Sequence, residues 1–122
     1  MKHSGNRYGH IEEPSLHHKE EIKKISHHLV QLFSPQKIIL FGSCATGKAD
    51  SHSDIDLLII TSFVGRRRQL MVAMDRAIAS FKAPVDIVIQ TADEYRTESQ
   101  IPGTISRYAF LEGKILYDNH QY

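Results

Sequence analysis

Apolar residues recur at helical spacing early in the chain. Ile22, Ile25, Leu29, Leu32 and Phe33 fall on one stripe of a 3.6-residue period. This predicts a helix from about Ser15 to Phe33, capped by Ser15 and stopped by Pro35. The pattern then changes. Lys37–Phe41 and Asp54–Thr61 are short runs that are apolar on both faces, which marks interior strands. The helical period returns over Gly65–Phe81, with Leu70, Met71, Met74, Ile78 and Phe81 on one side. Pro84–Gln90 reads as a third strand. Residues 91–102 are polar, with a helical turn near Asp93 and Glu94. Thr104–Glu112 is a last short helix ended by Gly113, and Lys114–Tyr117 is an extended tail. Residues 1–15, polar and broken by Gly5, Gly9 and Pro14, read as a loose N-terminal arm, and residues 16–122 as one domain.

The lengths of these segments constrain the topology. A helix of about 17 residues between the second and third strands suits a right-handed crossover between parallel neighbours. Both strands then begin at the same edge of the sheet. Asp54 and Asp56 open the second strand and Asp86 opens the third, so the three carboxylates converge there. Gly42 and Ser43 lie at the end of the first strand and reach that edge only if the first strand runs antiparallel to the second. The expected architecture is therefore a mixed α/β fold with a three-stranded sheet, order 1-2-3, and helices packed against it.

Side chains alternate faces along a strand, so Asp54 and Asp56 point the same way. Two like charges on one face repel unless a proton or cation lies between them. A hard divalent ion such as Mg²⁺ takes one or two carboxylates together with substrate phosphates. Gly42 permits close backbone approach and Ser43 offers a hydroxyl and an amide to a phosphate; Gly42, Ser43 and Gly47 read as plain turn residues in isolation and as phosphate-binding beside the Asp pair. These parts point to metal-assisted phosphoryl chemistry.

The same residues carry a resemblance. A strand, Gly42-Ser43, a glycine four residues after the serine at Gly47, Asp54-Ile55-Asp56 on the next strand and Asp86 on a later one follow the pattern of the DNA polymerase β-type nucleotidyltransferase superfamily. Within it the chain is similar to the minimal nucleotidyltransferases of prokaryotes, including the endings Ile101-Pro102-Gly103-Thr104 and Leu111 to Tyr117. The resemblance spans roughly residues 17–117, one whole domain. It implies a nucleoside triphosphate substrate such as ATP, two Mg²⁺ ions held by Asp54, Asp56 and Asp86, and phosphates contacted by Gly42, Ser43 and Gly47. Asp86 would also serve, or orient, the base for the attacking hydroxyl. It further implies transfer of AMP to a hydroxyl of a HEPN-domain partner, with this chain as the antitoxin-like half of the pair. Larger relatives add domains that hold the acceptor. Here a partner or a homo-oligomer must provide that surface. The chain differs from the family pattern at Cys44 and Thr46, where bulky or basic side chains are common.

Composition adds limits. A formal net charge of +1 gives no global attraction for nucleic acid. The single cysteine, Cys44, forms no internal disulfide and fits a reducing, cytoplasmic setting. No apolar run approaches the roughly 20 residues that span a bilayer. The pairs His17-His18 and His27-His28 are ten residues apart and make no i, i+4 metal face, so a solvated or partner-facing role is expected. His52 reads equally as a phosphate neighbour or a loop residue without a role. Arg66-Arg67-Arg68 follows the far end of the second strand, about 23 Å from Asp54 at strand rise, and reads as a solvated face or as a contact for a protein or RNA. Cys44 reads as a small buried thiol, and Tyr108 and Tyr117 as packing residues. A competing reading is a binding protein that neutralises a partner by contact alone, which the residues at 44 and 46 favour and the intact carboxylate set opposes. Transfer to a small-molecule acceptor asks for a second domain that 122 residues do not hold.

Overall fold

The apolar runs at 37–41 and 55–60 lie side by side in the sheet, antiparallel, with Phe41 opposite Asp56 and Lys37 opposite Ile60. The structure, a computed structural model, describes residues 18–119. In chain order the elements are α1 (Lys19–Phe33), β1 (Lys37–Phe41), α2 (Ser43–Thr46), β2 (Ile55–Ile60), α3 (Arg67–Ala77), β3 (Val85–Gln90), α4 (Ala92–Glu98), α5 (Ile105–Glu112) and β4 (Lys114–Asp118). The expected arm at 1–15 and the Ser15 cap lie outside the described residues.

The sheet has four strands in the order β3-β2-β1-β4. The expected order 1-2-3 holds, with β1 antiparallel to β2 and β2 parallel to β3. The sheet continues one strand further than expected. The tail after Gly113 pairs antiparallel with the free edge of β1, with an irregularity between Ile38 and Ile39, and becomes β4. An unpaired β1 edge would leave its amides and carbonyls without partners, and the tail satisfies them.

Alternation along the strands divides the core between two faces. On one, Ile38, Leu40, Ile55, Leu57, Ile59, Ile87 and Ile89 meet Ile22, Ile25 and Leu29 of α1, Cys44 of α2 and Met74 of α3. On the other, Ile39, Phe41, Leu58 and Ile60 meet Ala109 of α5, with Val88 and Tyr95 beside them. Coverage on both sides explains why β1 and β2 read as unbroken apolar runs. Truncating a fully buried residue such as Leu57 to alanine costs roughly 2–5 kcal/mol.

α3 is shorter than its periodicity. α3 ends at Ala77, and Ile78 and Phe81 join the core from the turn beyond it. Pro84 disfavours helical backbone at Ala83, so the chain must leave the helix before β3. On α1, Leu32 is exposed and Val30 is buried instead. The polar 91–102 stretch forms α4, opened by a full capping box between Thr91 and Glu94. Arg67 bonds Glu94 at 2.6 Å and lies over the Phe63 ring, tying α3 to α4 while Arg66 and Arg68 stay exposed.

Candidate active site

Register places the carboxylates. Asp56 and Asp86 are direct partners on the parallel strands β2 and β3. Alternation puts Asp56 on the face of Leu58 and Ile60, and Asp86 on the face of Val88. Both therefore lie on the α4–α5 side of the sheet, at its open end. Asp54 precedes β2 by one residue and is exposed, as is Asp86, while Asp56 is partly buried. The three expected carboxylates share one edge of the sheet.

The Gly-Ser turn abuts this edge because Phe41, opposite Asp56, is the last residue of β1. Gly42 has φ 76° and ψ −159°, a region open in practice only to glycine. A Cβ built there would collide with Oδ2 of Asp56. The carboxylate thus lies against the bare backbone of Gly42. Ser43 opens α2, and Gly47 closes it in the left-handed conformation with φ 82°. Cys44 and Ala45 are buried, which fits the expected buried thiol. Cys44 Sγ donates to the carbonyl of Asp54 at 3.4 Å, linking the Gly-Ser turn to the start of β2. Thr46 Oγ1 turns back on the Ser43 carbonyl at 3.5 Å.

The electrostatics follow from that crowding. Burial, then the charges of Asp86 and Asp54, push the Asp56 carboxyl up from 3.8 to about 6. Burial, then Asp56 and Asp54, also push the Cys44 thiol upward, so it is no ready nucleophile. Among the described residues no three His, Cys, Asp or Glu side chains are gathered closely enough to hold an ion by themselves. The donor set still suits Mg²⁺, which accepts one or two carboxylates and fills its octahedron with phosphates and water. A partly buried carboxylate lifted by two neighbours is a site that gains from a cation.

Three nearby side chains escaped the sequence reading. His18 Nε2 lies 3.0 Å from the carbonyl of Ser53. Glu21 accepts from the amides of Lys82 and Ala83. Tyr108, expected to pack, is 41% exposed on the helix that runs toward the carboxylate edge. Its phenol is pushed upward by what burial it has, by the charge of Glu112 and a hydrogen bond to it, and by Asp56. The only sequence signal for Tyr108 was its i, i+4 spacing to Glu112. His28 meets the edge of the Phe81 ring at 6.2 Å, so one of the expected solvated histidines packs instead. His17 lies outside the described residues. His52 is exposed, with Nδ1 3.3 Å from Ser51 Oγ and its amide on Asp50 Oδ1.

Comparison with known proteins agrees with this geometry. No curated protein matches the chain. Among solved structures, a nucleotidyltransferase candidate from Sulfolobus solfataricus is 22% identical, with a TM-score of 0.51, over 64% of this chain and 70% of that one. A toxin-antitoxin structure with AMP-PNP is 23% identical, with a TM-score of 0.54, over 81% of this chain and 75% of that one. At such identities both speak for the fold. The family model described as polymerase beta, nucleotidyltransferase, matches residues 23–122, which include the Gly-Ser turn and all three carboxylates, and the chain belongs to that family.

Proposed function

We propose that this protein moves a nucleoside monophosphate, AMP from ATP, to a hydroxyl on a partner protein and releases pyrophosphate. The observation that carries the reading is the Asp56–Asp86 pair, side by side across β2 and β3 with Asp56 against the bare backbone of Gly42. Asp54 and Asp56 would hold the metals, and Asp86 would hold the second metal and take, or orient, the proton of the attacking hydroxyl. The backbone of Gly42 and Gly47 and the hydroxyl of Ser43 contact the phosphates. Two Mg²⁺ ions held by these carboxylates would supply charge stabilisation at the entering and leaving oxygens.

The described residues form one sheet with its helices and no second lobe to orient an acceptor. Orientation accounts for several kcal/mol of such barriers. A partner that brings its own hydroxyl therefore completes the site. The toxin-antitoxin neighbour with AMP-PNP supports a partner protein and a nucleotide for this chain; in the proposed pair this chain is the antitoxin-like half and a HEPN-type protein the acceptor. Intact-mass spectrometry of the partner, incubated with this chain, ATP and Mg²⁺, tests the reading. Addition of AMP is expected with wild type and not with Asp86→Asn, while both still bind the partner. An unmodified partner that is neutralised equally by both would replace the enzyme with a protein acting by contact alone.

A further inference from the structure

The first turn of α1 reaches both segments that deliver carboxylates to the site. His18 caps the helix, and its Nε2 donates to the carbonyl of Ser53 at 3.0 Å, directly before Asp54. A carbonyl only accepts, so His18 carries a proton on Nε2. Three residues on, Glu21 accepts from Lys82 N and Ala83 N at 2.6 and 3.0 Å, directly before Pro84 and the start of β3. These bonds span 35, 61 and 62 positions of sequence. The two held segments also meet each other, because the Ile55 amide donates to the Pro84 carbonyl at 2.9 Å. From the far side Cys44 Sγ holds the Asp54 carbonyl. The loop before Asp54 also carries local bonds within the Asp50–Ser53 turn.

His18 has φ 63°, a left-handed backbone that disfavours any residue with a side chain. That conformation persists where surrounding bonds determine it.

We propose that His18 and Glu21 form a positioning clamp, which sets the approach of Asp54 and Asp86 to the site through the backbone. The inference rests on the proposed nucleotidyl transfer for its purpose. Neither residue touches the reacting atoms. Their bonds fix the peptides that precede the two strands, and hence the separation of the carboxylates.

The test uses the full chain and Mn²⁺ as probe, with binding read by electron paramagnetic resonance below every variant's unfolding range. His18→Ala and Glu21→Ala are expected to weaken Mn²⁺ binding about tenfold, as removal of supporting bonds around metal ligands does. His18→Gln keeps a donor and is expected to restore most of the affinity. Val30→Ala, a core truncation further along α1, controls for loss of stability and is expected to bind Mn²⁺ like wild type. Amide hydrogen exchange gives a second readout that needs no metal. Ile55 is expected to exchange faster in both alanine variants, and Ala83 in Glu21→Ala. Mn²⁺ affinities within twofold of wild type in both alanine variants would overturn the clamp. So would an equal loss in Val30→Ala. A wild-type chain that binds no Mn²⁺ would overturn the proposed function instead. The clamp is then decided by exchange, and unchanged protection at Ile55 in both variants refutes it.

Discussion

Asp56→Asn is expected to make the metal-free protein more stable at neutral pH while removing a ligand from the site. The folded protein holds the Asp56 carboxyl at about 6, against 3.8 in the unfolded chain. Below the lower value the carboxyl is protonated in both states. Between the two, the unfolded chain releases its proton while the folded protein keeps it, so stability falls as pH rises. Above 6 the loss is complete, because the folded state then carries a charge that its surroundings oppose. The shift of about 2 units corresponds to at most roughly 3 kcal/mol at about 1.4 kcal/mol per unit. Solvent reaches part of the group and screens it, which brings the expectation to about 1–2 kcal/mol. For a domain near 100 residues that is a rise of roughly 4–10 °C in Tm. Urea unfolding with EDTA, for wild type and Asp56→Asn at pH 4 and pH 7.5, measures the difference. The variant should exceed wild type only slightly at pH 4 and by the larger margin at pH 7.5. Saturating Mg²⁺ should then stabilise wild type and not the variant, because a ligand that binds only the folded state adds its binding energy. A stability difference that is the same at both pH values, or a variant less stable at pH 7.5, would refute the crowding of Asp56 by Asp86 and Asp54.

Gly42→Ala should cost about 1–3 kcal/mol from its backbone conformation alone and should also displace the Asp56 carboxylate. Denaturation together with loss of Mg²⁺-dependent ATP binding in calorimetry checks both effects. Thr46→Arg should tighten ATP binding, by roughly 1.5–3 kcal/mol at most for one charge-assisted hydrogen bond. Unchanged affinity in calorimetry would place the side chain of position 46 away from the phosphates. Cys44, buried and with its thiol pushed upward, should react with a thiol reagent at pH 8 far more slowly than in urea. Comparable rates in the two conditions would contradict the burial.

The carboxylate edge was legible because strand alternation and strand direction are local or nearly local properties. Asp54, Asp56 and Asp86 follow from the period of two and from one crossover, and the structure makes Asp56 and Asp86 register partners. β4 was not legible as a strand. Ile115, Leu116 and Tyr117 are too few to show a period, and what recruits them is the open edge of β1, more than 70 residues earlier. The end of α3 was misjudged for a related reason, whereas α1 ends at Phe33 as expected. A hydrophobic stripe records which residues meet the core, not whether the backbone beneath them is helical. Phe81 meets the core from a turn beyond α3. His18 and Glu21 were invisible as site residues, since their partners are backbone groups 35 to 62 positions away, and a backbone group has no identity in sequence.

Cys44 and Thr46 separate two things that the family pattern leaves joined. The side chain of position 44 lies in the core and bonds the Asp54 carbonyl, so its task is to place a carboxylate rather than to hold a phosphate. A long basic side chain there would have to leave the core or bury its charge, and burying an unpaired charge is expensive. Thr46 is only partly buried and Lys48 is exposed, so cationic help for a triphosphate falls to the outer side of the loop. The inner side, from Gly42 to Cys44, instead fixes the distance between turn and strand. On the proposed function, a loop without a basic residue at 44 or 46 would lose one contact with the nucleotide without loosening the backbone around the carboxylates, where Cys44 Sγ bonds the Asp54 carbonyl. On the proposed function, an ionisable Asp56 held in a half-buried place against two like charges costs stability that asparagine would remove, and a bound cation would offset that cost.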